Sequence, residues 1–362
     1  MILHDILLRM EEKDILDEVK LRYVHDNKPG FTRKIQGKHF AYFDRKGERI
    51  TDEKVIDRIN KIVIPPAWKR VWISPYANGH MQATGIDDRG RKQYRYHQFW
   101  NELKQQQKFS HVLDFAKALP KIRADIDKHL QMKGLPKEKV IATVVWLLEH
   151  TLIRVGNIEY KEENNSYGLT TLNNRHAQIS KNDIVFSFVG KSGVKHKVTV
   201  NDRKIANIVR RCQELPGQDL FEYEDEDGKP NDVTSHDINE YLKTITGKDI
   251  TAKDFRTWGG TVAAASMLDK AGIADEEKGS QKTITDTVKQ VAEHLRNKPA
   301  TCRKYYIHPT IFEAYTNGYV ISNIKDKLQD NHFRKIHGLD TNENEVVCLL
   351  QLMMKAGEKN LD

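Results

Sequence analysis

The chain has 362 residues, 38% of them hydrophobic and 30% charged, with a formal net charge of +8. That length accommodates two cores, whereas no run of about twenty apolar residues offers a membrane span. Three scattered cysteines (Cys212, Cys302 and Cys348) fit a reducing compartment without a disulfide framework, and the positive balance favours a polyanionic partner. The first ten residues lack the basic region and small-residue cleavage site of a signal peptide, so the expected location is the cytoplasm.

In chain order, Ile15 to Val24 reads as a charged, helix-compatible lead-in. From Phe31 the pattern changes to strands and turns. Phe40 to Phe43 precedes the Asp44 to Gly47 hairpin signal. Asp52 caps a helix carrying Val55, Ile56, Ile59 and Ile62, which Pro65 and Pro66 stop. Val71 to Ser74 and His80 to Thr84 read as strands around an Asn78-Gly79 turn. A further turn, Asp87 to Gly90, leads into Arg91 to His97. These hairpins predict a small β-rich domain over residues 1–106, followed by a second domain over 107–362. On a strand, Arg91, Gln93, Arg95 and His97 share one face. Such a strip can contact phosphates and base edges. It can equally be a solvated face whose Tyr94 and Tyr96 turn into the core.

Beyond residue 107 the periodicity turns helical. Leu119-Pro120 predicts a helix break, and Gly134 with Pro136 marks a boundary. The spacing of Val140, Val144, Leu147, Leu148 and Thr151 predicts a helix from Lys137 that closes at Val155 to Asn157, with Gly156 as its C-cap. Arg154 then belongs to the last turn. A cation there either answers the helix dipole or is a guanidinium aimed at a phosphate by a rigid element. Strands are predicted over Gly168 to Leu172, Asp183 to Phe188 and Val194 to Val200, with Lys191 at the hairpin tip. Gly190-Lys191-Ser192 is not a P-loop, because Val185 occupies the position of the required first glycine and a β pattern follows.

Asp202 caps a helix running to Leu215. Glu224 to Gly228 is an acidic turn and not a calcium loop, since Tyr223 and Thr234 fall on the terminal ligand positions. Ser235 to Ile245 is helical and Gly247 closes it. Thr251 to Trp258 opens an alanine-rich helix with Arg256 in its first turns, where a cation opposes the dipole unless an anion faces it. A helix from Thr283 to Arg296 leads to a segment of two phenols, four cations and an amide around Pro299 and Pro309. A phenol has an unperturbed pKa of about 10, and cations favour its phenolate, so Tyr305 or Tyr306 can serve as a nucleophile. The same residues also suit a surface turn with amphipathic tyrosines. Val346 to Met354 predicts a docking helix near the end of the chain.

Eight motifs in one order, between about residues 30 and 320, carry a resemblance. They are Ile64 to Trp68, Gly79 to Gly85, Gly90 to His97, Leu152 to Asn157, Ser166 to Leu172, Phe188 to Gly193, Lys253 to Trp258 and Cys302 to Pro309. The set resembles the type IB DNA topoisomerases of the compact bacterial and poxvirus-type branch. The resemblance implies an α+β fold, with a small β-rich N-terminal lobe and a larger, mainly helical catalytic domain containing a small β-hairpin. The two would form a clamp around duplex DNA. It also implies a catalytic set of Arg154, Lys191, Arg256, Asn297 and Tyr306. Asn297 stands where the poxvirus branch has histidine, as in the bacterial branch. Implied DNA contacts are Gln93, Tyr94 and Tyr96, with Arg91 and Arg95 on the same strand. The implied activity is supercoil relaxation through a 3′-phosphotyrosyl intermediate, by a monomer associated with the nucleoid, without ATP, metal or other cofactor. A tyrosine recombinase uses a similar set but has histidine where Lys253 stands. A noncatalytic duplex-binding protein would not need all five residues.

Overall fold

The computed structural model describes residues 20–37, 39–274, 276–324 and 335–359; for 102–110 and 355–359 only the backbone course is described. The predicted lead-in therefore lies outside the described residues up to residue 19. Lys20 to Val24 is not helical, and Arg22 bridges to Gly79. The chain divides into two units, 1–111 and 112–362.

In the first unit, strands β1 (Phe31–Gln36), β2 (His39–Phe43), β3 (Lys69–Ile73), β4 (Met81–Ile86) and β5 (Lys92–Tyr96) form an antiparallel sheet of order β2-β1-β3-β4-β5. Helix α1 (Glu53–Lys61) is capped as predicted by Asp52, whose carboxylate accepts the Lys54 N–H. Its Ile59 packs with Val71, Ile73 and Ala83, and Val55, Ile62, Ile64 and Trp68 close the edge of that core. Arg33 fixes the Ile64 to Trp68 loop by donating to the carbonyls of Ile64, Pro65, Pro66 and Trp68. The tyrosines of β5 do not enter the core. Tyr94 and Tyr96 are exposed and stacked with ring centroids 5.9 Å apart. The opposite face is occupied by tethered polar groups: Gln93 donates to Asp87 and Arg95 to the Val63 carbonyl.

The second unit begins within helix α2 (Gln98–Leu130). Pro120 lies inside this helix, so the predicted break does not occur. Phe115, Ala116, Leu119, Ile122 and Ile126 are buried along one stripe, and that burial outweighs the roughly 3 kcal/mol cost of an interior proline. Helix α3 (Lys137–Thr151) is the hub, with Val140, Ala142, Val144, Val145, Leu147 and Leu148 fully buried. Around it pack α5 (Arg203–Gln213), α6 (Ser235–Thr246) and α7 (Ala252–Ala271), while α4 (Ile158–Asn164) follows it in the chain.

A sheet of order β6-β7-β8 (Ala177–Ile179, Asp183–Val189, Lys195–Asn201) presents the predicted hairpin. The acidic turn joins a short pair, β9 (Glu222–Glu224) and β10 (Pro230–Asp232). Helices α8 (Glu277–His294), α9 (Pro299–Tyr305), α10 (Pro309–Thr316) and α11 (Thr341–Lys359) complete the unit. Helix α8 begins six residues earlier than the predicted Thr283. Among the described residues, no helix is long and apolar enough to cross a membrane.

Two local elements differ from the sequence expectation. Helix α3 ends at Leu152, not Gly156; Leu152 is left-handed with φ 52°. Its side chain needs the space that Gly259 leaves, since a Cβ there would stand 2.8 Å from the leucine methyls. Arg154 is thus on extended chain beyond the helix. Leu169–Thr171 is a 3₁₀ turn instead of a strand, because the Leu169 and Thr170 N–H groups donate to the carbonyls of Arg154 and Val155.

Candidate active site

Four of the five residues in the expected catalytic set come from four separate segments and line one cavity of about 230 Å³: Arg154, Lys191, Arg256 and Tyr306. Each is placed by its own local chemistry. Arg154 sits on the extended chain after α3, whose peptide groups are pinned by the 3₁₀ turn. Gly168 permits this contact, because a Cβ there would stand 2.6 Å from the Arg154 carbonyl oxygen.

Arg256 is 3% exposed. Its Nη1 donates to the Leu152 carbonyl and its Nη2 to the Leu295 carbonyl, the latter at 3.0 Å. Burial, and then the neighbouring Arg154, pull its pKa down to about 10, while Tyr306 opposes the shift, first through its charge and then through a hydrogen bond. The guanidinium lies 4.9 Å from the centre of the Tyr306 ring. It is therefore a cation at neutral pH whose fixed bonds go to neutral carbonyls.

Tyr306 follows the last residue of α9, and its N–H donates to the Cys302 carbonyl at 2.9 Å. Pro299 opens α9 and Pro309 opens α10, both at first-turn positions where a missing N–H costs little. The segment docks on α7 through backbone. A Cβ on Gly260 would stand 2.5 Å from the Tyr306 carbonyl oxygen, and the His308 N–H donates to Thr261 Oγ1 at 3.0 Å.

Lys191 occupies the exposed hairpin tip, where Ser192 and Gly193 both have positive φ. Its ammonium lies 4.8 Å from the centre of the Tyr160 ring on α4. Below it, His196 is buried and stacked on Phe188 with centroids 4.6 Å apart, and neither ring nitrogen has a hydrogen-bond partner. Burial first, then Arg296, Arg154 and Arg256, push its pKa down to about 4. Gly190 is required here, since a Cβ would stand 2.6 Å from His196 Nε2.

Asn297 is not among the residues that line the cavity. It follows Leu295, the carbonyl partner of Arg256, by two positions. Its Oδ1 accepts the Lys298 N–H at 2.8 Å, while its buried Nδ2 has no hydrogen-bond partner. Gln93, Tyr94, Tyr96, Arg91 and Arg95 all belong to the first unit. Arg91 is paired with Asp87 at 2.8 Å, and Tyr94 and Tyr96 are exposed.

Sequence reasoning did not place Tyr160, Ser166, Tyr167 or Lys253 in the cavity wall. Lys253 was legible in principle, because three residues before Arg256 on a helix is the same face. Nothing in the pattern around Tyr160 marks it. Among the described residues, no group of three or more His, Cys, Asp or Glu side chains could hold a metal ion.

Comparisons with known proteins match most of the chain. Residues 97–332 match the family described as eukaryotic DNA topoisomerase I, catalytic core. Residues 39–87 match the bacterial DNA topoisomerase IB N-terminal domain. The DNA topoisomerase 1B of Acanthamoeba polyphaga mimivirus is 32% identical over 295 residues, covering 80% of this chain and 88% of the relative. The DNA topoisomerase 1 of Rabbit fibroma virus is 25% identical, covering 73% of this chain and 81% of the relative. The DNA topoisomerase 1B of Vaccinia virus is also 25% identical, with 64% and 71% covered.

Proposed function

Because the chain belongs to the type IB DNA topoisomerase family, we propose that it relaxes supercoiled duplex DNA through a covalent 3′-phosphotyrosyl intermediate on Tyr306. The observation that carries this reading is the convergence of Arg154, Lys191, Arg256 and Tyr306 on one cavity.

The Tyr306 oxygen attacks a backbone phosphorus in line with the 5′ oxygen, losing its proton to solvent as the new ester forms. Negative charge gathers on the nonbridging oxygens, and Arg154 and Arg256 supply forked donors for it. Asn297, which lies outside the cavity lining, would have to turn its unpaired Nδ2 toward the same oxygens to join them. Lys191 leaves the face of Tyr160 and gives a proton to the departing 5′ oxygen. One phosphoester replaces another, so religation is the same step reversed and needs no ATP. Three cations supply the charge that metal ions supply in other phosphoryl transfers. On the first unit, Gln93, Tyr94 and Tyr96, with Arg91 and Arg95, contact the duplex. The protein acts as a monomer.

The test is relaxation of positively and negatively supercoiled plasmid in EDTA without nucleotide. Both should relax, and strict dependence on a metal or on ATP would contradict the proposal. Tyr306→Phe should lose covalent linkage but keep duplex binding, which rests on many phosphate contacts. Tyr305→Phe should still cleave.

A further inference from the structure

Helix α11 lies beyond the stretch 97–332 that matches the catalytic core, yet it packs against α7, the helix that carries Arg256. Val346, Val347, Leu349 and Leu350 are buried along it. At its start Glu343 forms a reciprocal capping pair with Asp340: the Glu343 N–H donates to Asp340 Oδ1 at 2.7 Å and the Asp340 N–H to Glu343 Oε2 at 3.0 Å. Capping accounts for only part of what this carboxylate does. Glu343 is 6% exposed, and both its oxygens accept from Arg123 on α2, at 2.8 and 2.9 Å. Oε1 also accepts the indole N–H of Trp258 on α7 at 3.1 Å. Arg123 is anchored in turn to Glu149 on α3 at 2.7 Å.

Trp258 follows Arg256 by two positions. At about 100° per residue the two side chains leave α7 on nearly opposite faces. The helix is therefore gripped from both sides. The Leu152 and Leu295 carbonyls hold it through Arg256, and the Glu343 carboxylate holds it through Trp258. A guanidinium carried about 5 Å from a helix axis moves by about 1 Å for each 10° or so of rotation. A misplacement of about 1 Å can cost about 100-fold in rate.

We propose that Glu343 is a positioning residue for Arg256, fixing the rotation of α7 that aims the guanidinium into the cavity. This rests on the reading of Arg256 as the group that binds the reacting phosphate.

The experiment is a double-mutant cycle in the full-length chain, read as single-turnover formation of the covalent complex at saturating DNA. Glu343→Ala should slow that step by about 10- to 100-fold and leave noncovalent duplex affinity within about twofold. Trp258→Phe removes only the indole donor and should slow it roughly fivefold. Glu343→Gln keeps an acceptor for the indole and should restore most of the rate. In an Arg256→Ala background, Glu343→Ala and Trp258→Phe should have no further effect. Effects that multiply with Arg256→Ala, or a Trp258→Phe protein that cleaves at the parental rate, would overturn the proposal even if Glu343→Ala fails to fold. If Arg256→Ala itself cleaved normally, the reading of Arg256 would fall instead.

Discussion

Arg256 and Lys191 face the same cavity but are held in opposite ways. Arg256 is 3% exposed, bonded to two carbonyls and braced on a helix. Lys191 stands on an exposed tip of left-handed residues, resting on the ring of Tyr160. The difference suits the role proposed for each group. Charge on nonbridging oxygens is best met by donors fixed before the reaction begins. A proton donor to a leaving oxygen has to approach, transfer and withdraw, and an ammonium on a flexible stem suits that. One side of the site is thus built as core and the other as loop.

The sharpest way to break this contrast is to remove the fixed side. Arg256→Ala should slow covalent-complex formation by about 10²- to 10³-fold, the range for loss of one preorganised donor. Arg256→Lys should recover little, since an ammonium cannot reach two carbonyls and a phosphate oxygen together. Single-turnover rates on a suicide substrate measure both.

Next in size is the backbone contact that seats the nucleophile. Gly260→Ala places a Cβ 2.5 Å from the Tyr306 carbonyl oxygen, which must move. Cleavage should fall by about 100-fold with duplex affinity retained. Gly259→Ala crowds the buried Leu152 side chain at 2.8 Å and not the Tyr306 backbone, so its loss should be smaller. Equal losses for the two glycines would contradict the placement of Tyr306.

The last effect is on stability, on the hairpin side, and leaves the cleavage step aside. His196 is neutral when buried, with its pKa lowered from 6.5 to about 4. The unfolded chain binds a proton near pH 6.5 and the folded chain only near pH 4. Stability is therefore unaffected above about pH 6.5 and falls as the pH drops toward 4. The loss is about 3 kcal/mol when complete. Urea midpoints should fall less steeply across this range in His196→Phe than in the parent, the remaining slope coming in part from His176 and His294, whose pKa values burial also lowers.

Much of the fold was legible because hydrophobic period and turn residues agree locally. The β3-to-β5 hairpins, the Asp52 and Asp202 caps and the Lys191 hairpin all follow from short-range chemistry, whereas the Asp44 to Gly47 turn closes only a single bridge, Phe43 to Arg49, and β2 pairs with β1 instead. The misreadings are places where a distant partner decides. Pro120 stays helical because its flanking stripe is buried. Leu152, and not Gly156, caps α3 because Gly259 and Arg256 receive it. The Gly168 to Leu172 run turns instead of extending because it bonds to the Arg154 chain. At the site, motif matching indicated which residues to watch. It could not indicate that Tyr160 shares the cavity, or that Glu343 reaches Trp258, since those contacts join segments far apart in sequence.

The division of labour itself is tested most directly by replacing the 5′ bridging oxygen with sulfur. A thiolate leaves without a proton, because the thiol pKa is near about 8.5. Lys191→Ala should cleave the oxygen substrate very slowly and the sulfur substrate at close to the parental rate, whereas Arg256→Ala should stay slow on both. If sulfur leaves the Lys191→Ala defect as large as before, Lys191 is not the proton donor, and the contrast between a fixed clamp and a delivered acid is wrong.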